Sequence, residues 1–381
     1  MQFPIERFEK INTPFYYYDL SLLHETLNRV VKYSDYPGFK VHYAVKANDN
    51  PEILKLIRSY GIGVDTVSGG EIDRAIECGF KPSEIFYAGV GKTDAEIKTA
   101  LNLGIGCFNV ESAEELDIIS ELAEKQNIVA PVALRVNPEI DAHTHHYITT
   151  GLAENKFGLD LSVILDIAKR CVENPWIDFR GLHFHIGSQI TVIEPFKKLC
   201  ERINGLQKQF ELEGIDLPII DVGGGLGIDY DAPDINPIPD FKSYFETFHN
   251  NLELRQNQEL HFELGRSIVA QCGSLITRVL YVKKGVSRRF VIVDGGMTDL
   301  LRPALYQAHH KIENISSQAS GTDVYDVVGP ICESSDKFGT DEILPITKRG
   351  DFIALRSAGA YGETMSSTYN RRSLPKSVFS L

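Results

Sequence analysis

The feature that most constrains the fold of this chain is a regular alternation of short apolar segments and amphipathic helices, which begins near Phe39. Eight apolar segments of strand length recur over about 230 residues, and helical patterns lie between them. The predicted strands are Val41–Val45, Ile62–Thr66, Glu84–Ala88, Gly106–Val110, Val132–Val136, Gly181–Ile186, Pro218–Val222 and His261–Leu264. This alternation predicts a (β/α)8 TIM barrel, with a doubly wound parallel sheet as the alternative. The first strand-to-helix turn lacks a GxGxxG motif, which favours the barrel.

Helix-capping signals support the same alternation. Four serine or threonine residues stand three positions before a glutamate, which is the spacing of a capping box. They are Ser68, Thr93, Ser112 and Thr191. Apolar residues at helical spacing follow the boxes, as at Ile72, Ala75 and Ile76 after the first. Caps and periodicity therefore predict the same helix starts.

The sequence changes character after Gly265. Four β-rich stretches follow, separated by glycine and proline: Ser267–Lys283, Arg289–Asp294, Val324–Val328 and Asp351–Ser357. The stretch Thr13–Tyr18 near the N-terminus is also typical of a strand. We therefore expect a C-terminal domain resembling a β-sandwich or β-barrel, which also takes the N-terminal strand. The predicted boundaries are residues 20–267 for the barrel and residues 1–19 plus 268–381 for the β domain.

Composition argues against several classes of function. The chain has 381 residues and a formal net charge of −13, which argues against nucleic acid and anionic membrane surfaces as partners. No apolar run reaches the length of a membrane span. The six cysteines are scattered without a CxxC pair, which indicates reduced thiols and a cytoplasmic location. A small molecule is the expected binding partner.

Lys46 ends the first predicted strand, in the stretch VHYAVKAN, immediately before a helix start at Asn50 and Pro51. Barrel enzymes carry their chemistry at the carboxyl ends of the strands. A desolvated lysine there can have its pKa lowered enough to form a Schiff base. A surface lysine with a solvated tip is the alternative that this stretch alone leaves open.

A glycine run and a histidine pair end two later strands. The segment Asp221–Gly227 follows the seventh strand, where barrels commonly hold phosphate through backbone amides; a flexible turn is the alternative. His183 and His185 end the sixth strand and point to the same side of the sheet. At least one of them should line the barrel mouth, where an imidazole could stack on an aromatic ring. No third ligand stands at zinc-like spacing, so no metal is predicted.

Further candidates lie at the last barrel strand, in a long loop and in the β domain. Glu263 and Arg266 end the eighth strand, where they could hold a pyridinium nitrogen and a substrate carboxylate, or form an internal salt bridge. The long loop Pro138–Gly158 is typical of a lid or a binding loop. The β domain offers arginine, tyrosine, thiol and carboxylate side chains in turn-like segments, each of which alone could be structural. They are Arg302, Tyr306, Cys332, Glu333 and Tyr361.

Seven motifs occur in one order along the chain: YAVKAN, HFHIGSQ, GGGLG, ELGR, RPALY, GPICESSD and GAYG. Together they resemble the fold type III pyridoxal-phosphate-dependent decarboxylases, and most closely the branch that acts on diaminopimelate. The resemblance extends from about Thr13 to Leu374. The family usually has a proline where Leu264 stands, but both functional side chains of that motif are kept.

The resemblance implies pyridoxal 5'-phosphate as the cofactor and assigns roles to matching residues. Lys46 matches the lysine that carries the cofactor as a Schiff base, and Cys332 matches the catalytic proton donor. The implied cofactor-binding residues are Lys46, His185, Ser188, Gly223, Gly224, Gly225, Glu263, Gly265, Arg266 and Tyr361. The implied substrate-binding residues are Arg266, Arg302, Tyr306, Glu333 and Tyr361.

The implied activity is decarboxylation of meso-2,6-diaminopimelate to L-lysine and CO2, the last step of lysine biosynthesis. One alternative is decarboxylation of ornithine, arginine or carboxynorspermidine, and another is a non-catalytic binding protein of the same fold. A racemase would be expected to have a catalytic tyrosine in place of the Cys332 segment. In the family this cysteine segment completes the active site of the other subunit, so the resemblance also implies a homodimer.

Overall fold

A computed structural model describes residues 3–140 and 156–381 and divides the chain into two compact units. The barrel unit comprises Leu27–Gly227 and Asp240–Gly265. The β unit comprises the chain up to Thr26, together with Ile228–Pro239 and Arg266–Leu381. Most of the predicted lid or binding loop, residues 141–155, lies outside the described residues. Within the described part, no helix is both long and apolar enough to cross a membrane.

Helices alternate with strands in the barrel unit, whereas strands dominate the β unit. The strands are β1 (Phe15–Tyr18), β2 (Phe39–Ala44), β3 (Gly63–Thr66), β4 (Ile85–Tyr87), β5 (Cys107–Val110), β6 (Ala130–Val136), β7 (Ile177–Phe184), β8 (Ile219–Asp221), β9 (Glu259–Leu264), β10 (Gly273–Lys284), β11 (Arg289–Val293), β12 (Ile312–Asn314), β13 (Thr322–Val328), β14 (Lys337–Pro345), β15 (Phe352–Leu355) and β16 (Lys376–Phe379). The α-helices are α1 (Ile5–Phe8), α2 (Leu20–Tyr33), α3 (Pro51–Ser59), α4 (Gly69–Glu77), α5 (Asp94–Leu103), α6 (Ala113–Gln126), α7 (Ile164–Glu173), α8 (Glu194–Leu212), α9 (Phe241–Asn251), α10 (Arg266–Val269) and α11 (Arg302–Tyr306).

Strands β2 to β9 form a closed parallel barrel, which confirms the predicted fold class. Each strand pairs with the next, and β9 closes the barrel on β2 with Glu263 opposite His42. Every one of the eight predicted barrel strands overlaps an observed strand. The carboxyl ends of all eight strands therefore meet at one mouth, which is where a barrel places its chemistry.

The capping signals predict three of four helix starts correctly. The hydroxyls of Ser68, Thr93 and Ser112 each accept from the backbone amide three residues later, as a capping residue should. The predicted box at Thr191 is wrong, because α8 begins three residues further on with no side-chain cap. Pro195 lies in the first turn of α8, where its fixed φ favours the helix and its missing N–H removes one donor that a cap would satisfy.

The sheet of the β unit has the strand order β12-β15-β10-β11-β13-β14. The N-terminal strand β1 joins it, as predicted, by antiparallel pairing with β10, and it also pairs in parallel with β16. A buried cluster that includes Phe8, Phe15, Tyr17, Ile276 and Phe352 packs against this sheet. The first and last described parts of the chain thus share one core.

Parts of the β unit depart from the sequence prediction. Residues predicted as the start of a strand at Ser267 belong to α10, and β10 begins only at Gly273. All four residues of α10 are buried, and one buried turn is too short to show helical periodicity in the sequence. Strands β14 and β16 were not predicted, because exposed polar residues interrupt their apolar pattern. The segment Ile228–Pro239 belongs to the β unit, whereas the domain boundaries at residues 19/20 and 267/268 stay a prediction.

Candidate active site

Lys46 and Asp65 meet at the carboxyl ends of the neighbouring strands β2 and β3. Lys46 lies in a single 3-10 turn that follows β2, and its Nζ is 3.3 Å from Asp65 Oδ2. The Asp65 side chain is fully buried, whereas the Lys46 side chain keeps 40% of its exposure. Burial raises the pKa of Asp65 to about 8. Gly265 lets the end of β9 approach the Lys46 turn, since a Cβ there would lie 3.1 Å from the Cβ atoms of Ala44 and Ala47.

Glu263, in β9, is held at the same mouth by two buried neighbours. Its Oε2 faces His183 Nε2 at 3.2 Å, and its Oε1 accepts a hydrogen bond of 3.2 Å from Asn109 Nδ2. Burial alone would raise the pKa of Glu263, but His183 and, after it, Lys46 together outweigh burial and lower the pKa below the usual range of a carboxyl group. Glu263 is therefore an ionised carboxylate in a fixed orientation, suited to keep a ring nitrogen protonated.

Asp221 lies beside this pair at the end of β8. One polar atom from each of Asp221, His183 and Glu263 lies within 4.8 Å of the other two. Burial, followed by the charge of Glu263, raises the pKa of Asp221 well above its usual range. A carboxyl group that keeps its proton beside an ionised one explains this close approach, so we propose no metal here.

The glycine turn after β8 packs tightly against the ends of its neighbouring strands. A Cβ on Gly224 would lie 2.1 Å from the carbonyl oxygen of Glu263, and one on Gly223 would lie 2.3 Å from that of Phe184. Gly223 and Gly225 also have φ angles of 66° and 106°, a region that favours glycine. Only glycine at these positions lets β7 and β9 close around the turn.

The same turn presents backbone donors. The amides of Gly223 and Gly224 already donate to side chains of the barrel unit. The amides of Gly225 and Leu226 donate to none of the residues that the structure describes. Buried amides normally have partners, and adjacent amides in a glycine turn can bind an anion such as a phosphate group.

His185 and Ser188 follow β7 and flank the glycine turn. His185 Nδ1 accepts a hydrogen bond of 3.3 Å from the Gly224 amide. Burial lowers the pKa of His185 to about 3, so the ring is neutral and can stack on an aromatic ring. Ser188 stands two residues before Ile190, which forms a bridge with Leu226, so this segment runs along the turn.

The β unit gathers two arginines around one tyrosine. Arg266 Nη1 donates to the Tyr230 hydroxyl at 2.7 Å, and the Arg266 guanidinium carbon lies 4.9 Å from the centre of the Tyr361 ring. The Arg302 guanidinium carbon lies 5.0 Å from the centre of the Tyr230 ring. Arg302 Nη1 is 2.7 Å from His310 Nε2. Arg266, Arg302 and Tyr361, which the family resemblance groups as substrate-binding residues, are thus brought together.

This cluster has an excess of buried positive charge. Arg266 and Arg302 are only 7% and 6% exposed. No described carboxylate lies within ion-pair distance of the Arg302 guanidinium. A buried cation without a carboxylate partner is costly, so the arrangement is suited to receive the carboxylate of a ligand. Tyr306 ends α11, the helix that begins at Arg302, and is partly exposed.

Cys332 and Glu333 stand apart from this cluster on an exposed turn after β13. Glu333 Oε1 accepts a hydrogen bond of 2.8 Å from the Tyr369 hydroxyl. Within residues 3–140 and 156–381, no hydrogen bond or ion pair joins Cys332 or Glu333 to Arg266 or Arg302.

Four residues of these clusters escaped the sequence analysis. They are Asp65, Asn109, Tyr230 and His310. Asp65 and Asn109 lie inside predicted strands, and a polar residue within an apolar strand is a signal that could have identified them. Tyr230 and His310 carry no comparable signal, because each lies in or next to a loop where polar residues are common.

Comparison with known proteins gives the class to which this fold and site belong. The family model of the pyridoxal-dependent decarboxylases, pyridoxal binding domain, matches residues 23–270. The chain belongs to the pyridoxal-dependent decarboxylases, which are carbon-carbon lyases, and its cofactor is pyridoxal 5'-phosphate.

Individual relatives narrow the comparison further. The diaminopimelate decarboxylase of Bacteroides thetaiotaomicron is 57% identical over 98% of this chain and 97% of its own length. The enzyme of that name from Vibrio cholerae is 42% identical over 94% of this chain and 85% of its own. The crystal structure of diaminopimelate decarboxylase from Helicobacter pylori complexed with L-lysine has a TM-score of 0.92 and 42% identity. It covers 98% of this chain and 93% of that one.

The residues of the barrel unit fit this cofactor. Glu263 has the ionised state that a protonated pyridine nitrogen requires. The amides of Gly225 and Leu226, without partners among the described residues, match the needs of a phosphate group. Lys46 has an amine at the mouth of the same barrel. The donor set therefore contains a group for each end of the cofactor.

Proposed function

We propose that this protein decarboxylates meso-2,6-diaminopimelate to L-lysine and CO2, the last step of lysine biosynthesis. The observation that carries the proposal is the ionised Glu263, fixed by His183 and Asn109 at the barrel mouth to which Lys46 also belongs. The names of the relatives above, which match along nearly their whole length, support diaminopimelate as the substrate.

The barrel unit would hold the cofactor. Lys46 would bind it covalently through Nζ, with the glycine turn and Ser188 at its phosphate and His185 against its ring. Glu263 would keep the ring nitrogen protonated. When bound, the cofactor ring accepts the electron pair that remains when the substrate carboxylate departs as CO2.

The β unit would recognise the substrate. Diaminopimelate has an amino group and a carboxylate at its distal end as well as at its reacting end. Arg302 offers a buried positive charge for the distal carboxylate, and Glu333 offers a negative charge for the distal amino group. Arg266, Tyr306 and Tyr361 would complete the substrate contacts. A diamine precursor such as ornithine would leave Arg302 without an anion, which costs affinity.

A proton must replace the lost carboxylate. Cys332 and Lys46 are the two candidates to deliver it, because each has a dissociable proton on an exposed or partly exposed side chain. The variants Cys332→Ala and Cys332→Ser distinguish between these two candidate proton donors. A large loss of CO2 release in both would assign the proton to Cys332.

The test of the activity is CO2 release from a panel of amino acids by the purified protein with added pyridoxal 5'-phosphate. The panel contains meso-diaminopimelate, ornithine, arginine and carboxynorspermidine. We expect meso-diaminopimelate to give the highest kcat/KM by a wide margin. Preference for ornithine or arginine would overturn the substrate assignment, and no release from any of them would overturn the decarboxylase.

We also propose a homodimer in which the turn with Cys332 and Glu333 completes the active site of the partner. The exposure of this turn, and the lack of any described bond from it to Arg266 or Arg302, support this arrangement. Most soluble oligomers of one chain are twofold dimers, which can share a site in this way.

Hybrid dimers test the shared site. Lys46→Ala should be nearly inactive alone, and so should Cys332→Ala if Cys332 delivers the proton. If subunits exchange freely, a mixture of the two should regain about one quarter of wild-type activity, because one site in each hybrid has both native residues. A mixture as inactive as its components, despite exchange demonstrated by tagged subunits, would rule the shared site out.

We propose a cytoplasmic location on the basis of the cysteines. All six are free, and five of them are buried as unpaired thiols in the described structure. Unpaired buried thiols are typical of a reducing compartment. Cell fractionation with an antibody against the protein is the corresponding measurement.

A further inference from the structure

His310 is a fully buried histidine to which the proposed mechanism gives no role. Its Nδ1 lies 2.9 Å from the carbonyl oxygen of Arg356, and its Nε2 lies 2.7 Å from Arg302 Nη1. A carbonyl oxygen can only accept, so the ring proton is assigned to Nδ1. Nε2 then has a lone pair for the guanidinium N–H. Burial lowers the pKa of His310 to about 3, so the ring stays neutral at physiological pH.

A hydrogen-bond acceptor such as His310 Nε2 is needed to hold the Arg302 guanidinium in one position. A free arginine side chain populates many rotamers, and the loss of this entropy must be overcome to fix it. On its other side Arg302 meets the face of the Tyr230 ring, and Tyr230 accepts a hydrogen bond from the second cation, Arg266. Two guanidinium groups that share one tyrosine repel each other. The hydrogen bond to His310 opposes this repulsion and defines where Arg302 lies.

The neutrality of the acceptor is as important as its position. A carboxylate at this place would fix Arg302 equally well, but it would also neutralise the charge and compete with an anionic ligand. The neutral imidazole orients the guanidinium and leaves its charge uncompensated. The described residues contain no carboxylate that pairs with Arg302.

We infer that His310 is a positioning residue, which holds the uncompensated Arg302 guanidinium ready for the carboxylate at the distal end of the substrate. The inference deepens the proposed function and rests on it in one respect, that Arg302 binds this carboxylate. L-lysine keeps the distal carboxylate of diaminopimelate, whereas cadaverine (1,5-diaminopentane) lacks it. The two ligands therefore isolate the contribution of the Arg302 site.

The experiment compares four holoenzyme variants with the wild type. His310→Leu removes the acceptor, His310→Gln keeps an oxygen near the position of Nε2, and His310→Asn places its oxygen nearer that of Nδ1. His309→Leu is the matched control, because the neighbouring His309 side chain is 51% exposed and its Nε2 lies 3.3 Å from Asp231 Oδ1. Calorimetric titration gives the Kd of L-lysine and of cadaverine, and CO2 release gives kcat and KM for meso-diaminopimelate.

We expect His310→Leu and His310→Asn to weaken L-lysine binding on the order of 10- to 100-fold, the range for a hydrogen bond to a charged group. Cadaverine binding should stay at the wild-type value. KM for meso-diaminopimelate should rise by a similar factor while kcat changes less. His310→Gln should restore most of the L-lysine affinity, and His309→Leu should behave as the wild type.

Three results would overturn the inference. They are unchanged L-lysine binding in His310→Leu, an equal loss for L-lysine and cadaverine, and equal behaviour of the glutamine and asparagine variants. If His310→Leu does not fold, the comparison of the two amide variants decides alone. Failure of the wild type to release CO2 from meso-diaminopimelate would instead refute the proposed function, and the two ligand titrations would still test His310.

Discussion

Three carboxyl groups at the barrel mouth differ in charge because their partners differ. Asp65, Asp221 and Glu263 are all buried, and burial alone raises the pKa of each. For Glu263 this effect is reversed by His183, at 3.2 Å, together with Lys46. Adjacent buried carboxyl groups cannot all ionise, so the one beside His183 takes the charge. The charge is thus concentrated where a ring nitrogen would need it.

Lys46→Ala is expected to abolish CO2 release and the visible absorbance band of the bound cofactor. The reason is that no other described lysine stands at the end of β2, so covalent attachment would be lost. Lys40→Ala is the matched control, because Lys40 lies in β2, the strand that leads to the Lys46 turn, with its side chain 55% exposed. Turnover by Lys46→Ala, or loss of the band in Lys40→Ala, would contradict the assignment.

Asp65 is expected to make stability depend on pH. Its pKa is about 8 in the folded chain and near 4 when unfolded. Between these values the folded protein binds a proton that the unfolded chain has released. The stability from this proton is complete below about pH 4 and is lost as the pH rises through about 8. As the pH rises from 5 to 8, the free energy of unfolding of Asp65→Asn should therefore fall less than that of the wild type.

Urea unfolding of the cofactor-free protein at pH 5 and at pH 8 measures this effect. The cofactor is left out because it would bind the Lys46 amine, which lies 3.3 Å from Asp65. Asp73→Asn is the control, since Asp73 is an exposed carboxylate of α4 and should keep the wild-type dependence. Equal slopes for Asp65→Asn and the wild type would refute the raised pKa.

At the residue scale, sequence patterns could predict the chemistry but not its partners. Lys46 and Glu263 stand at the ends of predicted strands, and the family resemblance assigns them roles. Asp65 approaches Lys46 only because β2 and β3 pair in one particular register. Asn109 reaches Glu263 across the barrel from β5, over 154 positions in sequence. A contact between residues so far apart in the sequence cannot be predicted from a local pattern.

At the scale of elements, the glycine turn after β8 combines two requirements. Its backbone must pass within reach of the ends of β7 and β9, and its amides must remain available to an anion. Glycine meets both requirements because it lacks a Cβ and tolerates positive φ. A side chain in the turn would therefore disturb packing and binding together.

Gly224→Ala should weaken pyridoxal 5'-phosphate binding by at least about tenfold and destabilise the fold by about 1–3 kcal/mol, the usual range for overpacking. The added Cβ would stand 2.1 Å from the backbone oxygen of Glu263, which cannot rotate away. Cofactor titration and urea unfolding measure the two effects. Wild-type affinity and stability would show that the turn can widen without cost.

Gly205→Ala is the matched control for that substitution. Gly205 lies inside α8, where an added Cβ meets no atom within 4 Å. Alanine favours the helix over glycine by up to about 1 kcal/mol, so this variant should be more stable than the wild type. Its cofactor affinity should not change.

Elements with a repeated local pattern were predictable, and irregular ones were not. All eight barrel strands, and the caps at Ser68, Thr93 and Ser112, follow from periodicity and spacing. The false cap at Thr191 arose because its spacing is right while Pro195 sets the helix start. The helix α10 was missed because it is a single buried turn, too short to show helical periodicity.

At the scale of the whole molecule, the segment Ile228–Pro239 lies between two parts of the barrel unit in the sequence but belongs to the β unit in the structure. Arg356 binds Asp234 through both of its terminal nitrogens, at 3.1 Å and 2.8 Å. Gln271 donates to two carbonyl oxygens of the segment, at 3.3 Å and 2.6 Å. These bonds hold in place the segment that contains Tyr230. Because Tyr230 contacts two buried arginines, the same bonds also determine the surroundings of those arginines.

Arg356→Met should loosen this segment. The Arg356 side chain is only 3% exposed, and its loss removes the ion pairs to Asp234 and Glu313. We expect amide hydrogen exchange in residues 228–239 to accelerate on the order of tenfold or more, while the barrel strands keep their protection. Arg349→Met, at an exposed position, is the control. Unchanged exchange would mean that other contacts suffice to hold the segment.

The sequence by itself determined which segments are strands, which are helices and which strand ends carry reactive groups. It could do so because hydrophobic period and capping spacing are local properties. Only the tertiary structure decided that Asp65 lies beside Lys46, that His183 stabilises the charge of Glu263 and that His310 orients Arg302. The register of the strands and the closure of the barrel determine such neighbours, and both follow from packing between distant parts of the chain.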